Sequence, residues 1–145
     1  MQLNINWLAR ELRMGPLQEE QKAALESAFE TEFIAQGIPI IHQYTSVHYL
    51  YILHSGSLRV RMKSHSRVIT LNSDFHNRTF GEISFFGDEP AVADVFAEQP
   101  CEVYKISRDQ FQWLMQNHAE LAMKLMAYVL RSMGEIIRSM DSSRH

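Results

Sequence analysis

The chain has 145 residues, 46% hydrophobic and 21% charged, enough for one domain with a substantial core. Its formal net charge of −3 provides no basic surplus for nucleic acid or an anionic membrane. Residues 1–7 lack the basic start and apolar run of a signal peptide, and no window reaches the roughly 18 apolar residues of a membrane span.

Residues 1–30 are expected to be helical. Leu8, Leu12, Leu17, Ala24, Leu25 and Phe29 recur at helical spacing, with Gly15-Pro16 as a break. Pro16 is expected in the first turn of the second helix, where Glu19 and Glu20 suit the positive helix end.

Residues 31–107 read as short strands. Leu58, Val60 and Met62 alternate with Arg59, Arg61 and Lys63, which predicts an apolar face inward and cations outward. Residues 68–71 and 92–96 are further strands, and residues 101–106 alternate again. Gly37, Ser55-Gly56, Asn72-Ser73-Asp74, Gly87 and Pro100 punctuate them at sandwich or barrel spacing. Cys101 is the one cysteine, which excludes an internal disulfide framework. Its place in a strand marks it as a small buried hydrophobe, and a reducing cytoplasm is the expected compartment.

Residues 108–145 return to helix. Ser107 with Gln110 three residues on suggests an N-cap and capping box. A break near Asn117-His118 separates a short helix from a long one. The long helix carries two apolar stripes. Leu121, Leu125 and Tyr128 form one, suited to docking on the strands. Ala122, Met126, Val129, Met133, Ile136 and Met140 form the other at near-heptad spacing, the pattern of a homodimer seam.

Residues 80–97 are the most informative segment. Phe80-Gly81-Glu82, a short apolar run, Gly87 and Pro90, then Ala93-x-Val95-x-Ala97 resemble the phosphate-binding cassette of the cyclic nucleotide-binding domain family. Leu50-Tyr51-Ile52-Leu53-x-x-Gly56-x-Leu58-x-Val60 resembles that family's strand and glycine turn, and residues 119–140 resemble its lid or dimer helix. The resemblance spans about residues 17–138. It implies a mainly β fold with flanking helices: a double-stranded β-helix, or jelly-roll-like β-roll, between N-terminal helices and a long C-terminal helix. One domain is expected over residues 1–145, with no helix-turn-helix to read nucleic acid.

The resemblance also implies a ligand site at Phe80, Gly81, Glu82, Ile83, Ser84, Ala91, Val92 and Ala93. In the family, the glutamate matching Glu82 accepts a bond from the ribose 2′-hydroxyl. The family's arginine, which pairs with the cyclic phosphate, is here Ala91, and Val92 stands where Ser or Thr is common. Between Phe80 and Val103 there are six carboxylates and no Lys or Arg, a local field that repels phosphate. The implied function is regulatory ligand sensing without catalysis, with weak cyclic nucleotide binding. Its ligand would be a cyclic nucleotide or another small molecule, and its signal a reoriented long helix.

Two other readings stand beside this one. The chain is a ligand-free dimeric adaptor with an inherited cassette, or it is a cupin-like metal-binding protein. The second would use His42, His48 or His54 with Glu82, yet six residues of strand span about 20 Å, and the cupin His-x-His pair is absent. No metal and no catalytic residue are expected. Arg59, Arg61, Lys63, Arg67 and Arg78 make the cassette's upstream neighbour basic. They form either a docking face for an acidic protein partner or a solvated edge that discourages strand pairing.

Overall fold

The computed structural model describes residues 3–62, 67–72 and 78–142, with side chains described except at 67–72 and 135–142. Two helices come first, α1 (Ile5–Glu11) and α2 (Glu19–Ala28). The strands are β1 (Glu30–Ile34), β2 (Pro39–Ile41), β3 (Tyr49–Ser55), β4 (Ser57–Met62), β5 (Arg67–Asn72), β6 (Thr79–Phe80), β7 (Asp94–Ala97) and β8 (Cys101–Ser107). The short helix α3 (Glu82–Gly87) lies between β6 and β7, and α4 (Arg108–Asn117) and α5 (Ala119–Ser142) follow β8. The strands pair antiparallel in two four-stranded sheets, ordered β1-β8-β3-β6 and β2-β7-β4-β5. This is the β-roll with flanking helices that the pattern predicts.

The first sheet is buried on both faces. Leu53, Cys101 and Val103 point between the sheets and pack with Leu58, Val95 and Phe80. Leu50, Ile52, Tyr104 and Ile106 point the other way, into a second core built with α1, α2, α4 and α5. Burying each such side chain contributes about 1.5–3 kcal/mol. β4 has only one buried face, so its alternation is clean: Arg59 and Arg61 are exposed, while Leu58 is buried and Val60 half-buried. Tyr104 is fully buried because its hydroxyl accepts the Asn4 N–H at 3.0 Å.

Local chemistry sets the helix limits. The Ser107 hydroxyl accepts the Gln110 N–H, and Gln110 Oε1 accepts the Ser107 N–H at 2.9 Å. This is the expected capping box, and it fixes the start of α4. The expected break at Asn117-His118 is present. Pro16 differs from expectation: it lies in a bend ahead of α2. Gln18 precedes the first turn instead, its N–H bound by Gln21 Oε1 at 2.9 Å, so the helix begins three residues after the proline. Residue 92 also lies outside any strand, and β7 starts only at Asp94. Gly87 closes α3, and the left-handed residue that ends that helix is Asp88, at φ 55°.

Between β2 and β3, Tyr44 holds φ 72° with its side chain 69% exposed. A side chain there sets Cβ against a carbonyl oxygen, at about 1–2 kcal/mol. Glycine removes that clash and gives back part of the gain as chain entropy. Tyr44→Gly is therefore expected to raise the unfolding free energy by up to about 1 kcal/mol. A denaturant midpoint below that of the parent protein would show a compensating contact by the tyrosine ring.

Candidate functional site

Gly81 begins the site. It sits at φ 84°, and a Cβ there would lie 2.9 Å from the Tyr49 carbonyl oxygen. Only glycine lets β6 turn so sharply against β3 and start α3 at Glu82. The Gly81 carbonyl then accepts the Phe85 N–H at 3.0 Å. At the far end, Ser84 Oγ donates to the Glu89 carbonyl at 2.6 Å, and Arg108 donates to the Ser84 carbonyl at 2.6 Å. Arg108 also pairs with Asp88 at 3.0 Å.

Ala91 is held from both sides by the turn after β2. It donates its N–H to Thr45 and accepts the N–H of Tyr44, at 2.8 and 2.7 Å. Two residues further on, Ala93 is buried. All eight residues expected at the site, Phe80 to Ser84 and Ala91 to Ala93, line one cavity of about 70 Å³. Val92 lines it at the rim and is 52% exposed. Ile41, Val60, Thr79 and Val95 complete the lining and were not anticipated. The inward alternation of Val60 was the one available signal for them. The volume is small beside the about 300–1,000 Å³ of ordinary ligand pockets.

Glu82 is the one ionisable side chain in this lining, and no Lys or Arg is present among the described lining residues. Its Oε2 atom is buried and has no hydrogen-bond partner among the described residues. Burial pushes its carboxyl up from 4.5 to about 7, only partly offset by a bond from its own backbone N–H. Arg78 does not supply the missing cation. It turns to the opposite side of β6, where it donates to the Leu53 and His54 carbonyls, stacks over Trp7 and approaches Glu11 at 3.6 Å. The outward arginines of β4 are paired across to β7 and the turn after it: Arg59 with Glu98 and Arg61 with Asp94. The expected basic face is thus locally neutralised. The Lys63 and Arg67 side chains lie outside the described residues.

A second space opens on the other side of Glu82. It is a groove of about 320 Å³ between α3 and α5, lined by Glu82, Ile83, Phe86, Gly87, Glu89, Met126, Val129, Leu130 and Met133. The sequence pattern did not reveal it.

The expected dimer stripe on α5 divides in the structure. Ala122 and Val129 are buried in the domain's own core, because α5 packs on the helical layer as well as on the strands. They leave the seam. Met126 is 41% exposed and Met133 half-buried, while the side chains of Ile136 and Met140 lie outside the described residues. Met123 and Leu130 are the most open apolar positions on α5, at 69% and 68%. Met123, Met126, Leu130 and Met133 are spaced by three, four and three residues, a strict heptad pattern.

α5 is also tied to the base of the cassette. Ser132 Oγ accepts the Thr79 N–H at 3.1 Å, both residues being buried. Tyr128 donates to Glu11 at 2.8 Å, and its hydroxyl is held protonated by burial and by that carboxylate. Elsewhere, His42 and His48 are exposed and His54 meets Glu102 at 2.5 Å. No three His, Cys, Asp or Glu side chains cluster for a metal among the described residues. No described helix is long and apolar enough to cross a membrane.

Residues 31–118 match the sequence profile of the cyclic nucleotide-binding domain family. The chain belongs to this family. Its domains are regulatory ligand-sensing modules, and this one shares their β-roll. A cyclic nucleotide-binding domain from Methylobacillus flagellatus superposes with a TM-score of 0.78 at 16% identity, over 93% of this chain and 79% of that one. The catabolite activator protein of Thermus thermophilus superposes at 0.69 with 26% identity, over 92% of this chain and 63% of that one. In sequence, the chain is 29% identical over 111 residues to a cAMP-dependent protein kinase regulatory subunit of Hypocrea atroviridis. That match covers 76% of this chain and 23% of the relative, so this cyclic nucleotide-binding domain corresponds to less than a quarter of that protein.

Proposed function

We propose that this domain senses a ligand other than a cyclic nucleotide and reports it through α5 to a second copy of the chain. One observation carries the first half. Ala91 lies in the cavity lining where the family resemblance places an arginine, and the lining's one charged group is the acid Glu82. A phosphate diester entering there would meet a carboxylate and no cation. The domain acts by binding and not by catalysis, and its buried free thiol suits a cytoplasmic setting. The small cavity favours a second reading, a ligand-free dimeric adaptor in which the cassette only packs.

The coupling has a physical route. The Ser132–Thr79 bond joins α5 to the strand that leads into Gly81, so a shift at the cassette reaches α5 through one buried hydrogen bond. The seam argument is one of area. Met123 and Leu130 leave apolar surface in water at about 25 cal/mol per Å², and a two-fold interface is the commonest way to cover it.

Light scattering at micromolar concentration tests the dimer. A mass near twice the 16.9 kDa chain is expected. Met123→Glu with Leu130→Glu should return it to the monomer without loss of fold, because two acids would face their symmetry mates unpaired. A monomeric parent protein would remove the homodimer. A dimer that survived both changes would put the interface elsewhere.

A further inference from the structure

We infer that the groove between α3 and α5 takes a small organic cation, with its ammonium at Glu82 and its apolar body along Ile83, Phe86, Met126 and Leu130. The inference rests on the proposal that this domain senses a ligand other than a cyclic nucleotide, and it names that ligand's chemical class.

Size is the first argument. At about 320 Å³ the groove is the larger of the two spaces beside the cassette, and it falls within the usual range for ligand pockets, about 300–1,000 Å³. The second argument is lining. Its walls are apolar apart from Glu82 and Glu89, and no described residue in either space is His, Lys or Arg. The third is the buried Oε2 atom of Glu82, which lacks a hydrogen-bond partner among the described residues. Buried polar atoms are nearly always satisfied, and leaving one unpaired is costly. A bridging water needs two to four polar partners, which these walls do not offer. An ammonium group provides both the missing proton donors and the missing charge.

Neighbouring cations are already committed. On α4, Arg108 is held by the Ser84 carbonyl and Asp88. On α5, Arg131 lies over the Tyr128 ring at 6.0 Å and does not line the groove. The remaining charged groups of α3 and the turn after it are Asp88 and Glu89, both acidic. Burial holds the Glu82 carboxyl near neutrality, so a bound cation would favour its ionised form and gain affinity as pH rises from 6 to 8. The groove also backs the α5 seam, since Leu130 belongs to both, which places the ligand where it alters the face α5 presents.

Matched six-carbon probes test this in the intact chain: n-hexylamine, 1-hexanol and hexanoate, followed by the methionine methyl signals in NMR titrations. Hexylamine is expected to shift Met126 and Met133 saturably and at least tenfold more tightly than hexanol, with hexanoate weakest. Glu82→Gln should cut the amine's affinity at least tenfold and flatten its pH dependence. Equal affinity for amine and alcohol, or no response at Met126 and Met133, would overturn the assignment. Should Glu82→Gln fail to fold, the amine-to-alcohol ratio in the parent protein decides alone, a ratio under ten counting against it. Tight cyclic AMP binding would instead defeat the underlying proposal, whereas amine failure with weak cyclic AMP binding would defeat only the ligand class.

Discussion

Gly56→Ala is expected to destabilise the domain by about 3 kcal/mol or more. Gly56 turns β3 into β4 at φ 97°, a conformation that L side chains rarely adopt. The space is closed as well. A Cβ would lie 2.3 Å from the Pro100 carbonyl oxygen and 2.8 and 2.9 Å from Cys101 Cα and Sγ. Two of those atoms are backbone, so rotating a side chain cannot relieve the overlap. The carbonyl belongs to the turn before β8, the strand at the centre of the first sheet. A shift there would disturb the pairing of β8 with both β1 and β3. Chemical denaturation of the variant checks this, and a midpoint equal to that of the parent protein would contradict the close approach.

Glu82 is expected to make the domain less stable as pH rises from about 4.5 to about 7. Its carboxyl titrates near 4.5 in the unfolded chain and at about 7 in the folded one. Across that interval the folded state holds the extra proton, so stability falls with increasing pH and levels off above it. The full difference is about 3 kcal/mol. Its contribution is complete below the unfolded value and gone above the folded one. Glu82→Gln removes the titration, so its stability profile should converge with or cross that of the parent protein as pH rises. Parallel profiles between pH 4 and 8 would show that the carboxyl is not desolvated.

Much of this fold was legible because local chemistry specifies it. Ser107 and Gln110 cap α4 on a signal four residues long. Leu58 to Met62 alternate because only one face of β4 is buried. The cassette is readable since its glycines and small residues must follow in order to turn the chain at Gly81 and close it at Ala93. Other features depend on partners distant in sequence. Arg61 meets Asp94, 33 residues away, so the strand that reads as basic is neutralised in three dimensions. Ala122 and Val129 keep the spacing of an exposed seam, but periodicity does not say whether a helix stripe is covered by its own domain or by another. Here α5 is wrapped on two sides, and the seam moves to Met123 and Leu130. The α3–α5 groove was invisible because its two walls lie about forty residues apart and neither wall alone has a distinctive pattern.

The central claim is that this cyclic nucleotide-binding domain keeps the sensor scaffold and lacks the phosphate anchor. An arginine–phosphate contact contributes about 1.5–3 kcal/mol, and in its place stand Ala91 and an unpaired carboxylate at Glu82. Calorimetric titration of the intact chain with cyclic AMP and cyclic GMP tests this directly. No saturable heat at micromolar concentration is expected for either nucleotide. A submicromolar dissociation constant for either would mean that another residue supplies the cation, and would contradict the account.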